Sequence, residues 1–504
     1  MRSKKAIYNT ISSVFLQIIT CICGLIIPRL ILNRFGSEVN GSIQSITQFL
    51  NYIVLLEAGV GGVVRAALYK PLATNDSATL SGIINATERF FRKIAYIFII
   101  YLFIVAFLYP YIIIEEFDFF YTFSLVIIIG IGTIAQYYFG ITYQIMLTAD
   151  QNGYIWNTLQ VVTVIINSLL TFILIKLGAG IHIVKLFSAL IFVIRPLVLN
   201  WYVRKKYKEL NKKAAPNNEL IKQRWDGLGQ HIAFFVHNNT DIVILTLFDG
   251  LKSVSVYSVY YMVVSGLEKI VSSIAAGFTP IIGNMYALED KKRLLSTVSL
   301  YEFLAFTVNN IIFTVCAFLI VPFVKIYTSG ITDVNYVNYV FGYLAALSSA
   351  LLIIRNIYQN IVLSAGHYKQ TTASAWIETL INIVLSLLLV VKLGLCGVMI
   401  GTVISLIYRT LYYIVYLNKN ILNRKIIVFF KRVLINIFGI IICIMIYNFF
   451  KGYIMCSNYL ELIIEAIFYT VVVSVIIGGI NILLYRNEFL ALFHKFKNII
   501  FKQS

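Results

Sequence analysis

Charged residues are scarce in this chain of 504 residues, and the scarcity indicates the class of protein. Asp, Glu, Lys and Arg make up only 12% of the sequence, whereas hydrophobic residues make up 60%. A soluble domain carries about twice that charged fraction. The apolar residues fall in runs of about 18–25, long enough to cross the hydrocarbon core as helices, and the short alternating segments of an outer-membrane barrel are missing. We therefore predict an all-α polytopic membrane protein.

Motifs for bond-making chemistry or cofactor binding are also missing. The six cysteines lie mostly within apolar runs, without a CxxC pair or a His/Cys cluster at zinc spacing. Walker A, HExxH and nucleophile-elbow motifs are absent. His231, His237 and His367 are isolated from one another. The sequence therefore predicts no catalytic residue, no metal and no cofactor, and hence a protein that is not an enzyme.

The excess of positive charge lies in short polar segments. The formal net charge is +19, and the most basic interval is the loop 203–227, which follows one apolar run and precedes another. Lys and Arg concentrate in the cytoplasmic loops of membrane proteins. The loop is therefore predicted to be cytoplasmic, and a nucleic-acid partner is not expected.

The apolar runs and the alternation of basic loops predict about fourteen membrane spans. An even number places both termini in the cytoplasm, with most Lys and Arg on the same side. The first run is too long for a signal-peptide core and should be an uncleaved span. The predicted spans lie near 11–32, 39–63, 94–114, 119–147, 154–176, 181–202, 228–249, 254–281, 299–322, 335–363, 371–391, 396–417, 431–450 and 459–484.

An internal repeat predicts the domain organisation. Ile145–Gly178 and Ile361–Gly394 share the start I-x-L-[TS]-A and the end K-L-G at one offset of 216 residues. An even number of spans separates the copies, so two lobes should be related by an axis along the membrane normal. The predicted parts are an N-terminal six-helix lobe (1–202), the basic cytoplasmic loop (203–227), a C-terminal six-helix lobe (228–418), and a C-terminal helix pair with a basic tail (419–504).

Polar residues within the spans are the candidate site. A charge near the bilayer centre costs about 3 kcal/mol or more, so it should face water or a partner. Arginine in particular suits bidentate contact with phosphate. The alternative is that these charges form buried ion pairs between helices, whereas Glu302 is predicted to be interfacial. The candidates for substrate binding are Arg29, Arg195, Arg409, Arg355 and Asn238, and those for ion coupling are Glu57, Asp241 and Glu378.

Five stretches carry a resemblance to a known family. They are 27–46, 55–73, 321–336, 364–386 and 397–409, the second of which reads LLEAGVGGVVRAALYKPLA. The chain resembles the bacterial polysaccharide biosynthesis proteins, the oligosaccharide (O-antigen type) flippases of the multidrug/oligosaccharidyl-lipid/polysaccharide exporter superfamily. The resemblance implies two six-helix lobes around a central cavity, and it places Arg29, Glu57 and Asp241 where the family tends to have polar residues. Glu57 stands where the family commonly has Asp.

The resemblance implies a flippase that moves a polyprenyl-pyrophosphate-linked oligosaccharide from the cytoplasmic to the outer leaflet by alternating access. Such a protein serves the assembly of O-antigen, capsule or exopolysaccharide in the bacterial cytoplasmic membrane, together with other polysaccharide-assembly membrane proteins. One alternative is a cation-coupled multidrug exporter of the same superfamily, whose cavity should be acidic or neutral. Another is an integral-membrane glycan polymerase or ligase, which the short predicted outside loops disfavour.

Overall fold

The structure, a computed structural model, describes residues 2–57, 59–217, 228–450 and 456–501. These residues form helices, and no strand occurs among them. The chain folds as two compact units, 1–255 and 256–504. The predicted division at the loop 203–227 stays a prediction.

The first unit contains the helices α1 to α8 and the start of α9. Their bounds are α1 (Arg2–Asn51), α2 (Val60–Thr74), α3 (Ser77–Ile112), α4 (Phe119–Ala135), α5 (Ile141–Ala149), α6 (Gly153–Lys176), α7 (Ile181–Lys206), α8 (Leu228–Phe248) and α9 (Gly250–Ala287). Helix α3 lies at the centre, where its Phe91 and Phe98 are buried together with Tyr137 and Leu199. Helix α1 packs against α6 and α8. In this packing, a side chain at Gly41 would overlap the carbonyl of Leu251.

The second unit contains the rest of α9 and the helices α10 to α16. Their bounds are α10 (Lys291–Tyr327), α11 (Tyr339–Ser364), α12 (Tyr368–Leu417), α13 (Ile427–Phe450), α14 (Tyr459–Val473), α15 (Gly479–Leu484) and α16 (Arg486–Phe501). Helix α10 packs against α11, α13 and α14. Its Phe318 ring stacks on Tyr447 with the ring centroids 4.3 Å apart. The C-terminal helix pair is therefore held on α10 by aromatic packing.

The all-α polytopic architecture is confirmed. The described residues include eleven helices that are long and apolar enough to cross a membrane. Two of them bend at a glycine with non-helical backbone, Gly36 (φ 83°) and Gly394 (φ 51°), so each supplies two predicted spans. Helix α8, of 21 residues, coincides with the predicted span near 228–249. Every predicted span therefore has a helical counterpart, although the span near 39–63 is not one continuous α-helix.

The repeated segments adopt the same succession of elements. Each begins at the end of a helix (α5 or α11), passes through a short loop, and continues into a long helix. The first of these helices ends just before Gly178 and the second bends at Gly394, and both glycines have positive φ. The matched residues Thr163 and Thr379 each donate a hydrogen bond to the carbonyl oxygen four residues earlier. The local structure thus repeats with the sequence, while the symmetry of two lobes stays a prediction.

The described part of the basic loop is docked on the start of α3. The amide of Asn85 donates hydrogen bonds to the carbonyl oxygens of Asn211 (3.0 Å) and Ala214 (2.9 Å). The backbone N–H of Asn211 donates to Ser81 Oγ, and that of Asn217 donates to the Gly82 carbonyl, both at 3.0 Å. We call residues 207–217 the docked loop. Residues 218–227 of the predicted loop lie outside the described residues.

Glu302 is buried in the protein. Its position at the membrane interface stays a prediction, but its side chain is only 1% exposed. It accepts two hydrogen bonds from Arg424, at 2.7 and 2.8 Å, and lies 3.7 Å from Arg432. These partners could not be predicted because they follow by more than 120 residues in the chain, and a single-helix pattern contains no information about them. This cluster joins α10 to the connection before the C-terminal pair.

Candidate functional site

A cavity of about 630 Å³, lined by both polar and apolar residues, lies within the first unit. Its walls come from the segment Tyr52–Glu57 that follows α1, and from α2, α3, α4, α5, α7 and α8. The segment Gln136–Gly140 between α4 and α5 also contributes. Two of the eight predicted site residues, Glu57 and Arg195, line it. The cavity is also lined by polar residues that were not among the predicted site residues, namely Thr133, Gln136, Tyr137, Gln144 and His231.

Glu57 is positioned by a break in the helix. A 3-10 segment, Tyr52–Glu57, follows α1, and α2 begins at Val60 after Gly59, whose φ of 78° favours glycine. Gly61 and Gly62 continue the wall and place no side chain in the cavity. The Tyr137 hydroxyl is a hydrogen-bonding partner of the Glu57 carboxylate. The break therefore turns a carboxylate towards a cavity inside the membrane-spanning part of the unit.

A π-helical segment, Gln136–Gly140, supplies the opposite polar wall. Such insertions into α-helices occur frequently at functional sites. The Gln136 amide donates to Gln144 Oε1 at 3.3 Å, the long end of the range for such bonds. A Cβ at Gly140 would lie 2.9 Å both from Gln136 Oε1 and from Pro196 Cβ. Gly140 therefore lets the segment approach α7 closely.

Arg195 provides the cation of the cavity. Its guanidinium lies over the rings of Trp156 and Phe192, at 4.9 and 5.4 Å from the ring centroids. It forms no ion pair with any residue that the structure describes, and its Nε is buried without a hydrogen-bond partner. Cation–π contact supports a guanidinium without neutralising it. The charge of Arg195 thus remains available to a ligand.

A second polar cluster joins α1 to α8. The amide of Gln48 donates to Asn239 Oδ1 at 2.6 Å, and the Tyr52 hydroxyl reaches the Asn239 carbonyl at 3.5 Å. Asn238, predicted to bind substrate, donates to the Phe234 carbonyl in its own helix at 2.7 Å. Asp241 is buried, with 5% of its surface exposed. This cluster connects the helices, and Gln48 was not identified from the sequence.

The arginines of the second unit are arranged differently. Arg355 and Arg409 are buried, and both pair with Glu378, at 2.7 and 3.5 Å. Arg409 also donates to the Thr371 carbonyl (3.0 Å) and to the Tyr413 hydroxyl (2.6 Å). This is the buried ion-pair arrangement that the sequence left open as the alternative. The roles of these three residues in binding and coupling stay predictions.

Arg29 is not among the described residues that line the cavity. It follows Pro28 in α1 and is partly buried. The cavity therefore brings together Glu57 and Arg195 from the predicted set, whereas Glu378, Arg355 and Arg409 form a separate cluster. Gln136 and Gln144 were overlooked because they are uncharged. Two glutamines within a predicted span were nevertheless a usable signal, since polar side chains there require partners.

This arrangement of helices is the fold of the transporters of the multidrug/oligosaccharidyl-lipid/polysaccharide (MOP) superfamily, as the solved structures show. Lipid II flippase MurJ, in an inward closed conformation, is similar over 95% of this chain and 99% of its own, with a TM-score of 0.69 and 15% identity. An inward-facing multidrug resistance MATE family transporter of the MOP superfamily is similar over 81% of this chain and 98% of its own, with a TM-score of 0.63 and 15% identity.

A third similar structure is a MOP superfamily transporter from Pyrococcus furiosus, for which the reverse polarity of the binding pocket suggests a different function. It covers 82% of this chain and 95% of its own, with a TM-score of 0.56 and 14% identity. No protein-family model and no curated protein sequence match the chain. At these identities the likeness establishes the fold, and the expected resemblance is confirmed at that level.

Proposed function

We propose that the protein is a flippase that moves a polyprenyl-pyrophosphate-linked oligosaccharide from the cytoplasmic to the outer leaflet, for the assembly of a cell-surface polysaccharide. The observation that carries the proposal is the position of Arg195, which has no ion-pair partner among the described residues, in a cavity among helices that are long and apolar enough to span a membrane. A pyrophosphate and its sugars cannot cross hydrocarbon unaided, whereas the polyprenyl tail never needs to leave it. The headgroup therefore requires a polar site with a cation at membrane depth.

The structural likeness includes a flippase as well as multidrug transporters, so it is consistent with this function. The flippase structure matches 95% of this chain, whereas the multidrug transporter matches 81%. The flippase is thus similar over a longer part of the chain than the multidrug transporter.

Alternating access would move the headgroup between the two leaflets. Its two openings require two bodies that can reorient, and the chain folds as two compact units. Glu57 is our candidate for ion coupling because it lines the same cavity as Arg195. Glu378 is a weaker candidate, since two arginines already neutralise it. Cytoplasmic termini and a location in the bacterial inner membrane belong to the same proposal.

A multidrug exporter is the second candidate. It is favoured by the likeness to the MATE family transporter and by the carboxylate of Glu57 in the cavity. A lipophilic cation would be repelled by Arg195, which lines the same space. The two functions therefore differ in what Arg195 does: it assists a flippase and hinders a cation exporter.

The test is depletion of the protein in its host, followed by identification of the lipid-linked glycan that accumulates on the inner leaflet. Wild-type protein should restore export, Arg195→Lys should restore it weakly, and Arg195→Ala least. Lys retains the charge but loses the planar fork of hydrogen-bond donors. Export is normalised to the amount of protein in the membrane. Full export with Arg195→Ala, or no accumulation of lipid-linked glycan after depletion, would contradict the proposal.

A further inference from the structure

The cavity of the first unit offers more than a contact for a phosphate. Hydrogen-bond donors and acceptors both line this cavity. Arg195 only donates and Glu57 only accepts, whereas the amides of Gln136 and Gln144 do both. A phosphate ligand only accepts hydrogen bonds, and an ammonium ligand only donates them. The mixture therefore fits a ligand whose groups each donate and accept, and hydroxyl groups are of this kind.

Among the described residues, one carboxylate and one guanidinium line the cavity. Glu57 and Arg195 form no ion pair with each other or with other described residues, so each acts on the cavity separately. Arg195 can therefore hold an anionic group of the headgroup at one position, while Glu57 disfavours a second anion and favours a hydroxyl group at another. A neutral polar ligand meets both without repulsion, and vicinal hydroxyls suit the planar ends of both side chains.

The shape of the cavity agrees with this chemistry. Its volume of about 630 Å³ falls in the range of sites for small molecules. Phe91, Tyr137 and Phe192 provide ring surface next to the polar groups. Gly62 leaves one wall open, because an added Cβ there would have no neighbour within 4 Å. Rings beside amide and carboxylate groups match the apolar C–H faces and the hydroxyl edges of a sugar.

From these features we infer that the cavity of the first unit is a saccharide subsite, which binds a neutral monosaccharide or disaccharide unit of the transported headgroup. Gln136 and Gln144 hydrogen-bond its hydroxyl groups, and Arg195 and Glu57 bind from separate positions. The Gln136–Gln144 bond is long and can be exchanged for bonds to the sugar at small cost. The inference rests on the proposed flippase function, since it assigns the cavity to part of that substrate.

Binding can be measured on the purified full-length protein with Trp156 as the reporter. Trp156 lies under Arg195, and the chain has only four tryptophans. Trp201, Trp225 and Trp376 are replaced by Phe. The emission of Trp156 is then titrated with a panel of neutral sugars (glucose, galactose, N-acetylglucosamine and diacetylchitobiose), with inorganic pyrophosphate, and with tetraphenylphosphonium.

We expect a saturable change with at least one neutral sugar at millimolar concentration. Gln136→Leu should weaken that binding at least about tenfold, which corresponds to about 1.4 kcal/mol. Gly62→Leu should weaken it similarly, because its side chain would enter the cavity. Gly24→Leu is the matched control, since Gly24 is also helical and open but does not line the cavity. Unchanged elution and melting temperature establish that each variant is folded.

Three outcomes would overturn the subsite: no response to any neutral sugar, a response to pyrophosphate or tetraphenylphosphonium alone, or sugar binding that survives both Gln136→Leu and Gly62→Leu. Failure here is distinct from failure of the proposed function. Glycan accumulation on depletion without sugar binding would remove the subsite and leave the flippase. Sugar binding without accumulation would leave a saccharide site and remove the flippase.

Discussion

Removal of the Glu378 carboxylate should destabilise the protein strongly. Arg355 and Arg409 are 0% and 1% exposed, and Glu378 is the acid that neutralises both. Loss of one partner of a buried ion pair costs about 3–5 kcal/mol, because the other charge stays buried without compensation. At about 2–4 °C per kcal/mol for a unit of this size, the melting temperature should fall by about 6–20 °C.

The variant is Glu378→Gln, which keeps the size of the side chain. Glu289→Gln is the matched control, since Glu289 is exposed in the same unit and its loss should change stability by less than about 0.5 kcal/mol. A double variant, Glu378→Gln with Arg355→Met, should recover part of the loss. It leaves one buried cation, Arg409, which keeps its bonds to the Thr371 carbonyl and the Tyr413 hydroxyl.

The assay is thermal unfolding in detergent, followed as the loss of the monodisperse peak in size-exclusion chromatography, with transport measured in parallel. A Glu378→Gln protein that melts within about 2 °C of the wild type would refute the structural reasoning. If that protein also failed to transport, Glu378 would belong to the transport cycle rather than to the packing of the second unit.

Three other predictions concern the first unit and the topology. Gly140→Ala should cost about 1–3 kcal/mol by overpacking against Gln136 and Pro196, whereas Gly62→Ala should not destabilise; equal melting temperatures of these two variants would contradict the close approach. Asn85→Ala should release the docked loop, because it removes two hydrogen bonds to that loop. Trypsin should then cleave after Lys208, Lys212 or Lys213 faster than in the wild type. Unchanged cleavage would mean that these two hydrogen bonds do not hold the docked loop in place. Reporter fusions after Lys208 and at Ser504 should both report cytoplasm, and an external signal from either would contradict the predicted topology.

The architecture could be predicted because each span and each loop is determined by the residues of its own stretch of sequence. Runs of apolar residues give the spans, and loop charge gives their expected order. The bends at Gly36 and Gly394 fall between predicted spans, so even these were marked by gaps in the apolar pattern. The break after Asn51 was harder to locate, since apolar residues continue through it and the glycines after Glu57 allowed either bending or close packing.

The partners of the charged residues could not be predicted in the same way. Glu378 and Glu302 are both carboxylates in apolar helices, yet one was expected to couple ions and the other to lie at the interface. Both form buried pairs with two arginines. Which arginine reaches which carboxylate depends on how helices pack across distant parts of the sequence. A pattern within a single helix gives the cost of a charge but not its partner.

The buried arginines of the two units have different surroundings. At the offset of 216 residues, Glu378 corresponds to Val162 and Arg355 corresponds to Phe139. The first unit therefore lacks the carboxylate at the position that neutralises Arg409. Its own arginine, Arg195, rests on Trp156 and Phe192 instead and lines a cavity. Because aromatic rings leave the positive charge in place, Arg195 retains a capacity for ligands that Arg409 lacks, since Glu378 neutralises it. Glu378 therefore ties the arginines of the second unit into buried ion pairs, whereas the aromatic contacts of Arg195 leave its charge uncompensated by any carboxylate that the structure describes.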